Sequence, residues 1–272
     1  MDVITTLFSY SFITRAIIVG IIVSLCSSVL GVSLVLKRHS MIGDGLSHVS
    51  FGALSVAAAF NLAPLTVSIP IVIAAAFFLL RLSENSSVEG DSLIAVFSSV
   101  ALAIGIIITS MTSGINTDIC NYMFGSILAM SESDVYVSVI LSVVVLILFV
   151  IFYNRIFAIT FDEGFSRATG VNVGIYNTII AVLTAVTVVL GMRIMGALLI
   201  SSLIVFPALS AMRIFRFFKG VIIASAVISM LCFFIGIVFS YLLELPVGAS
   251  VVIVNLAVFV IFSLIAKIRK VF

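Results

Sequence analysis

Ser40-Met41-Ile42-Gly43-Asp44-Gly45-Leu46-Ser47-His48-Val49-Ser50-Phe51-Gly52-Ala53-Leu54-Ser55-Val56-Ala57-Ala58-Ala59-Phe60 holds one acid and one histidine in a run that is otherwise small or apolar. The length and composition predict a membrane-crossing helix over about 40–60. Asp44 and His48 are four residues apart, which is about one helical turn, so they project from one face about 6 Å apart. A carboxylate at bilayer depth costs roughly 2.5–3.5 kcal/mol on insertion scales, so it needs a partner, a polar cavity or a passing ion. A carboxylate oxygen beside an imidazole nitrogen is the beginning of a site for a divalent transition metal. The alternative is local: Asp44 pairs with Arg38 near the helix start, and His48 bonds a neighbouring helix.

The rest of the chain has the same character. Of 272 residues, 63% are hydrophobic and 9% charged, against about 25% charged in a soluble domain. The net charge of +2 is scattered between apolar runs and forms no basic tract for nucleic acid. Cys26, Cys120 and Cys232 are far apart; Cys26 and Cys232 lie in apolar runs and read as small buried hydrophobes. Met1–Arg15 has no basic region of the kind that opens a cleavable signal, and it is expected to lie along the outer interface.

Uncharged runs set the spans at Ala16–Leu36, 40–60, 65–80, Ser92–Ser110, Val135–Tyr153, Ile175–Leu190, Ile194–Met212, Val221–Tyr241 and Gly248–Ala266. The uncharged stretch from Gly45 to Leu80 would make a helix of about 54 Å, too long for one crossing, so Asn61 and Pro64 divide it. The expected fold is therefore an all-α polytopic bundle of about nine transmembrane segments, a single domain over 1–272. With the N-terminus outside and the C-terminus inside, all of the 13 Lys and Arg except Arg15 and Arg193 fall at inner ends. The acids Asp2, Asp118, Glu132, Asp134 and Glu244 then fall outside. The longest inner connection, 154–177, mixes charges and aromatics. It reads either as a short amphipathic helix that docks a cytoplasmic partner or as an ordinary surface loop. Gly43, Gly45 and Gly52 read as helix-packing positions. Ser201 and Ser202 are hydroxyls that reach either the pathway or their own backbone. The sequence has no phosphate-binding G-x-x-x-x-G-K-[ST], so any ATP use belongs to another subunit. His39 and His48, the only histidines, are too few for an intramembrane zinc protease.

The series Leu36-Lys37-Arg38-His39-Ser40-Met41-Ile42-Gly43-Asp44-Gly45-Leu46-Ser47-His48, Glu89–Ala95, Asn121–Leu128, Phe161–Val171, Gly196–Leu199 with Phe206-Pro207-Ala208, and Leu245–Ala249 resembles the membrane permeases of zinc/manganese/iron ABC importers over about 16–266. The resemblance implies a homodimer in the bacterial cytoplasmic membrane. It also implies P-loop ATPase subunits beneath the dimer and an extracellular or periplasmic metal-binding protein above it. Asp44 and His48 would contact the transported metal. Phe161, Asp162, Glu163, Phe165, Arg167, Ala168, Thr169, Gly170 and Val171 would couple to the ATPase. No cofactor would be held by the chain itself. Ser126 stands where relatives often have an acid, which weakens any metal role for the outer segment. Ser50-Phe51-Gly52 after the histidine is similar to zinc-type relatives, so Zn2+ is preferred, with Mn2+ or iron as the alternative. A secondary carrier without an ATPase is the competing class; no matched pair of broken half-helices points to it.

Overall fold

The computed structural model describes residues 11–85, 90–112 and 132–271. Ten helices occupy them: α1 (Ser11–Leu36), α2 (Met41–Ala59), α3 (Pro64–Asn85), α4 (Gly90–Met111), α5 (Glu132–Phe161), α6 (Glu163–Ala168), α7 (Val173–Met195), α8 (Ala197–Ile214), α9 (Phe218–Leu243) and α10 (Val247–Val271). Seven are long and apolar enough to cross a membrane: α1, α4, α5, α7, α8, α9 and α10. The protein is a multi-pass membrane helix bundle. Within α3, Pro64–Leu80 is a shorter apolar stretch, and α2 is diluted by its glycines, serines and the Asp44–His48 pair.

Helix ends follow from backbone chemistry. The division at Asn61–Pro64 is present: Asn61 takes a left-handed φ of 52°. Leu62 N–H donates to the Ala57 carbonyl and Asn61 N–H to that of Ala58, closing α2 in a Schellman motif. Arg38 (φ 61°) closes α1 in the same way, with His39 N–H on the Leu34 carbonyl and Arg38 N–H on that of Val35.

Three expected boundaries need correction. Ser11–Arg15 belong to α1 rather than to an interfacial segment. The helix begun at Val135 does not end at Tyr153 but runs on to Phe161. Only 162–172, with α6 inside it, therefore separates the two long helices, not 154–177. The polar Asn154 and Arg155 do not break the helix. The break before α8 is at Gly196 (φ 85°), not near Arg193; Ile194 therefore lies in α7. Arg193 stays helical because Asp134 of α5 pairs with it at 3.5 Å.

α1 is the hub, packed on α5, α7, α8 and α9. Val19, Val23 and Val32 are fully enclosed, and so are Ser24, Ser27 and Ser28. Ser229 and Ser225 of α9 donate to the Ser24 and Ser28 carbonyls at 2.9 and 3.2 Å. Small residues set the spacing: a methyl on Gly31 would lie 2.0 Å from the Ile204 carbonyl oxygen of α8. Cys26 and Cys232 are buried, as expected. Glu89, Asn121–Leu128, Cys120, Asp118 and Asp2 lie outside the described residues.

The ion pairs define two sides of the bundle. Arg15–Glu132 (2.5 Å) and Arg193–Asp134 join the starts of α1 and α5 to the end of α7. The two cations that the charge bias leaves at outer ends are thus each met by an acid on the first turn of α5. On the opposite side, the end of α1 meets α6 and the start of α7 through Lys37, Glu163 and Asn177.

Candidate functional site

Gly43 and Gly45 build the first part of the site. A methyl on Gly43 would come within 2.7 Å of Ile204 Cδ1 on α8, and one on Gly45 within 2.4 Å of Ile94 Cγ2 on α4. A methyl on Gly52 would lie 2.9 Å from the Ala101 carbonyl oxygen of α4. Glycine is thus required here for two helices to close on α2. Successive helical residues turn by about 100°, so Asp44, between the two glycines, projects into the gap flanked by α4 and α8. His48 follows one turn later on the same face.

His48 Nε2 lies 3.7 Å from Asp44 Oδ2, and the Ser201 hydroxyl of α8 donates to Asp44 Oδ1 at 3.1 Å. Ser201 also reaches the Ala197 carbonyl at 3.1 Å, whereas Ser202 bonds only the Leu199 carbonyl among the described residues. The cluster is open: the Asp44 side chain is 46% exposed and that of His48 22%. Among the described residues no group of three or more His, Cys, Asp or Glu converges on one point. Among the described residues the cluster is thus one carboxylate, one imidazole and a hydroxyl brace, fewer side chains than a closed four-ligand metal shell needs.

The second part is α6. Asp162 caps it, its carboxylate accepting from Phe165 N–H at 2.8 Å. Gly170 (φ 81°) ends it, with Val171 N–H on the Ser166 carbonyl and Gly170 N–H on that of Arg167. Ser166 is its buried residue; Phe165 is 66% exposed, and Arg167, Ala168 and Thr169 also face outward. Phe161 of α5 meets Phe218 of α9 edge-on at a ring separation of 5.7 Å, and Phe157 packs tilted against the same ring at 5.1 Å, just before α6.

Glu163 faces inward instead. Its Oε1 meets Lys37 Nζ at 2.7 Å and accepts from Asn177 Nδ2 at 3.4 Å; Lys37 also donates to Asn177 Oδ1. The Lys37 side chain is only 7% exposed. Burial pushes the Glu163 carboxyl up. The hydrogen bond and charge of Lys37, with Asn177 and Arg167, outweigh that effect and hold it below its ordinary 4.5. The sequence places Lys37 at an inner helix end and within the stretch that carries the family resemblance, and gives Asn177 no role. Lys37 is far in the chain from the other two, and no local pattern joins the three. Ser201 had a weak signal, a serine pair in an apolar helix.

The family model of the ABC 3 transport family matches residues 9–266, and the chain belongs to that family. It is 27% identical to the "Manganese transport system membrane protein MntC" of Listeria monocytogenes, over 96% of this chain and 92% of the relative. It is also 27% identical to the "High-affinity zinc uptake system membrane protein ZnuB" of Haemophilus influenzae, over 93% and 97%. Among solved structures it resembles PsaBC from Streptococcus pneumoniae in complex with Fab, with a TM-score of 0.86 and 26% identity over 96% of this chain and 94% of that one.

Proposed function

We propose that this chain is the transmembrane permease subunit of an ATP-driven importer of a divalent transition metal, zinc or manganese. Asp44 and His48 are the protein ligands of the ion in transit. The observation that carries this reading is the open Asp44–His48 pair, braced by Ser201 and set among apolar helices. A buried structural pair would be sealed and fully hydrogen-bonded; this one keeps donor atoms free on the surface of the chain. Two donors leave the ion's shell incomplete. A second copy presenting the same pair, with water, would finish a transient site that binds and releases.

In this reading α2 and α3 cross the membrane with the seven other spans, giving nine. The Lys37–Glu163–Asn177 side is cytoplasmic, with the N-terminus outside and the C-terminus inside. Phe161–Val171 docks a P-loop ATPase through the outward face of α6, and an extracellular or periplasmic binding protein delivers the metal. Ser50-Phe51-Gly52 supports zinc; the names of the relatives do not favour zinc over manganese.

The test is uptake of radioactive zinc and manganese by the complex reconstituted in vesicles, with and without ATP. Uptake is expected only with ATP. It should be lost in Asp44→Ala and His48→Ala while the ATPase still co-purifies. Wild-type uptake in both variants removes the pair from the mechanism; uptake without an ATPase makes the chain a secondary carrier.

A further inference from the structure

A cavity of about 880 Å³ lies between the ends of α8 and α10, on the same side of the bundle as Lys37 and Glu163. Arg213, Arg216 and Lys267 line it and no carboxylate does. Among the described residues none of the three makes an ion pair. Arg213 is held in place, its guanidinium 5.4 Å over the Phe259 ring, which is itself packed edge-on by Phe206. Ser263 forms part of the wall, its own hydroxyl buried behind it. Three cations lining one cavity, with no acid among its walls, match the charge and oxygens of a phosphate group.

Exposed apolar side chains flank the cavity. Leu264 and Val260, one and two turns back along the Lys267 side of α10, are 56% and 46% exposed. The linker from α8 to α9 exposes Phe215 and Phe217 beside Arg216. Such alternation of cations with exposed aromatics suits the headgroup level of a membrane. A ligand here would have an anionic head and apolar tails.

We propose that this cavity is a binding site for an anionic phospholipid of the inner leaflet. Arg213, Arg216 and Lys267 hold its phosphate, and its acyl chains lie along Val260 and Leu264. The inference rests on the membrane orientation proposed above and not on the metal or the ATPase. Its readout is lipid retention, which survives if the transport assignment fails.

The experiment is native mass spectrometry of the full chain released from nanodiscs of phosphatidylcholine and phosphatidylglycerol, followed by lipid titration. Wild type is expected to retain phosphatidylglycerol in preference to phosphatidylcholine. The double variant Arg213→Gln/Lys267→Gln should bind it at least tenfold more weakly, and Arg155→Gln, a cation outside the cavity, within twofold of wild type. Ser263→Leu adds bulk to the cavity wall without changing any charge and should also weaken retention, which guards against misfolding of the charge variant. Equal loss in Arg155→Gln, or equal retention of both lipids, overturns the site. So does occupation by inorganic phosphate without phosphatidylglycerol. Unchanged lipid retention with loss of ATPase co-purification would reassign the cations to a protein contact and overturn it too.

Discussion

Glu163→Gln removes the charge that Lys37 faces and leaves the shape of the side chain intact. Lys37 is 7% exposed and Glu163 40%. Stripping the partner from a fully buried ion pair costs about 3–5 kcal/mol, while an exposed pair contributes about 0–1 kcal/mol. This pair is dry at the ammonium and half wet at the carboxylate, and Asn177 remains as a neutral acceptor. The expected loss is therefore about 2 kcal/mol, intermediate between those limits. In a chain of this size that is a fall in apparent Tm of about 4–8 °C. Lys37→Met alone strands the carboxylate but leaves it water on one side, so it costs less. The double variant Lys37→Met/Glu163→Gln removes both charges and should recover most of the loss. The pH dependence has a definite sign. Glu163 has a folded value below its ordinary 4.5, so its contribution is present above about pH 4.5 and fades as pH falls through the lower folded value. The Tm gap between wild type and Glu163→Gln should thus be constant from pH 8 to 5 and close below that. The assay is thermal unfolding in detergent across pH. Additive losses in the double variant, or a gap that widens in acid, would refute the buried-pair argument.

Ser201→Ala should leave folding unchanged and raise the half-saturation concentration for metal uptake about fivefold, the equivalent of one hydrogen bond of about 1 kcal/mol; uptake kinetics measure it. Gly31→Ala places a methyl 2.0 Å from a backbone oxygen of α8. It should cost at least about 3 kcal/mol and abolish monodisperse expression, whereas Gly174→Ala, whose methyl meets Asn172 at an ordinary 3.5 Å, should purify normally. Asp162→Ala deletes the α6 cap, worth about 1 kcal/mol. It should weaken ATPase co-purification, with Asp162→Ser restoring it.

What could be read from the sequence follows from the range of the physics involved. Bilayer thickness acts on every residue of a span, so apolar runs reported the helices, and Asn61 and Pro64 reported their division because turn chemistry is local. The shared face of Asp44 and His48 was legible for the same reason. Helix ends were read less well. Charge marks the depth at which a helix leaves lipid, and α5 continues past Asn154 and Arg155 to Phe161 without interruption. Arg193 misled in the opposite sense: it is inside α7 because Asp134, far away in sequence, neutralises it.

The least legible features are those in which one helix supplies what another lacks. Ser201 braces Asp44 from α8, and Lys37 is buried only because α6 and α7 bring Glu163 and Asn177 to it. Lys37 is also the residue just beyond α1, and α2 begins at Met41, after a linker whose Arg38 is held in a left-handed conformation. α6, which presents Phe165 and Arg167 outward, is thereby tied by one ion pair to the short linker that leads into the Asp44–His48 helix. A displacement of α6 must either carry that linker with it or break a pair whose ammonium has little access to water. The first course keeps the ammonium paired; the second strands it, which is why the Lys37–Glu163 cycle probes the link between the two halves of the candidate site as well as stability.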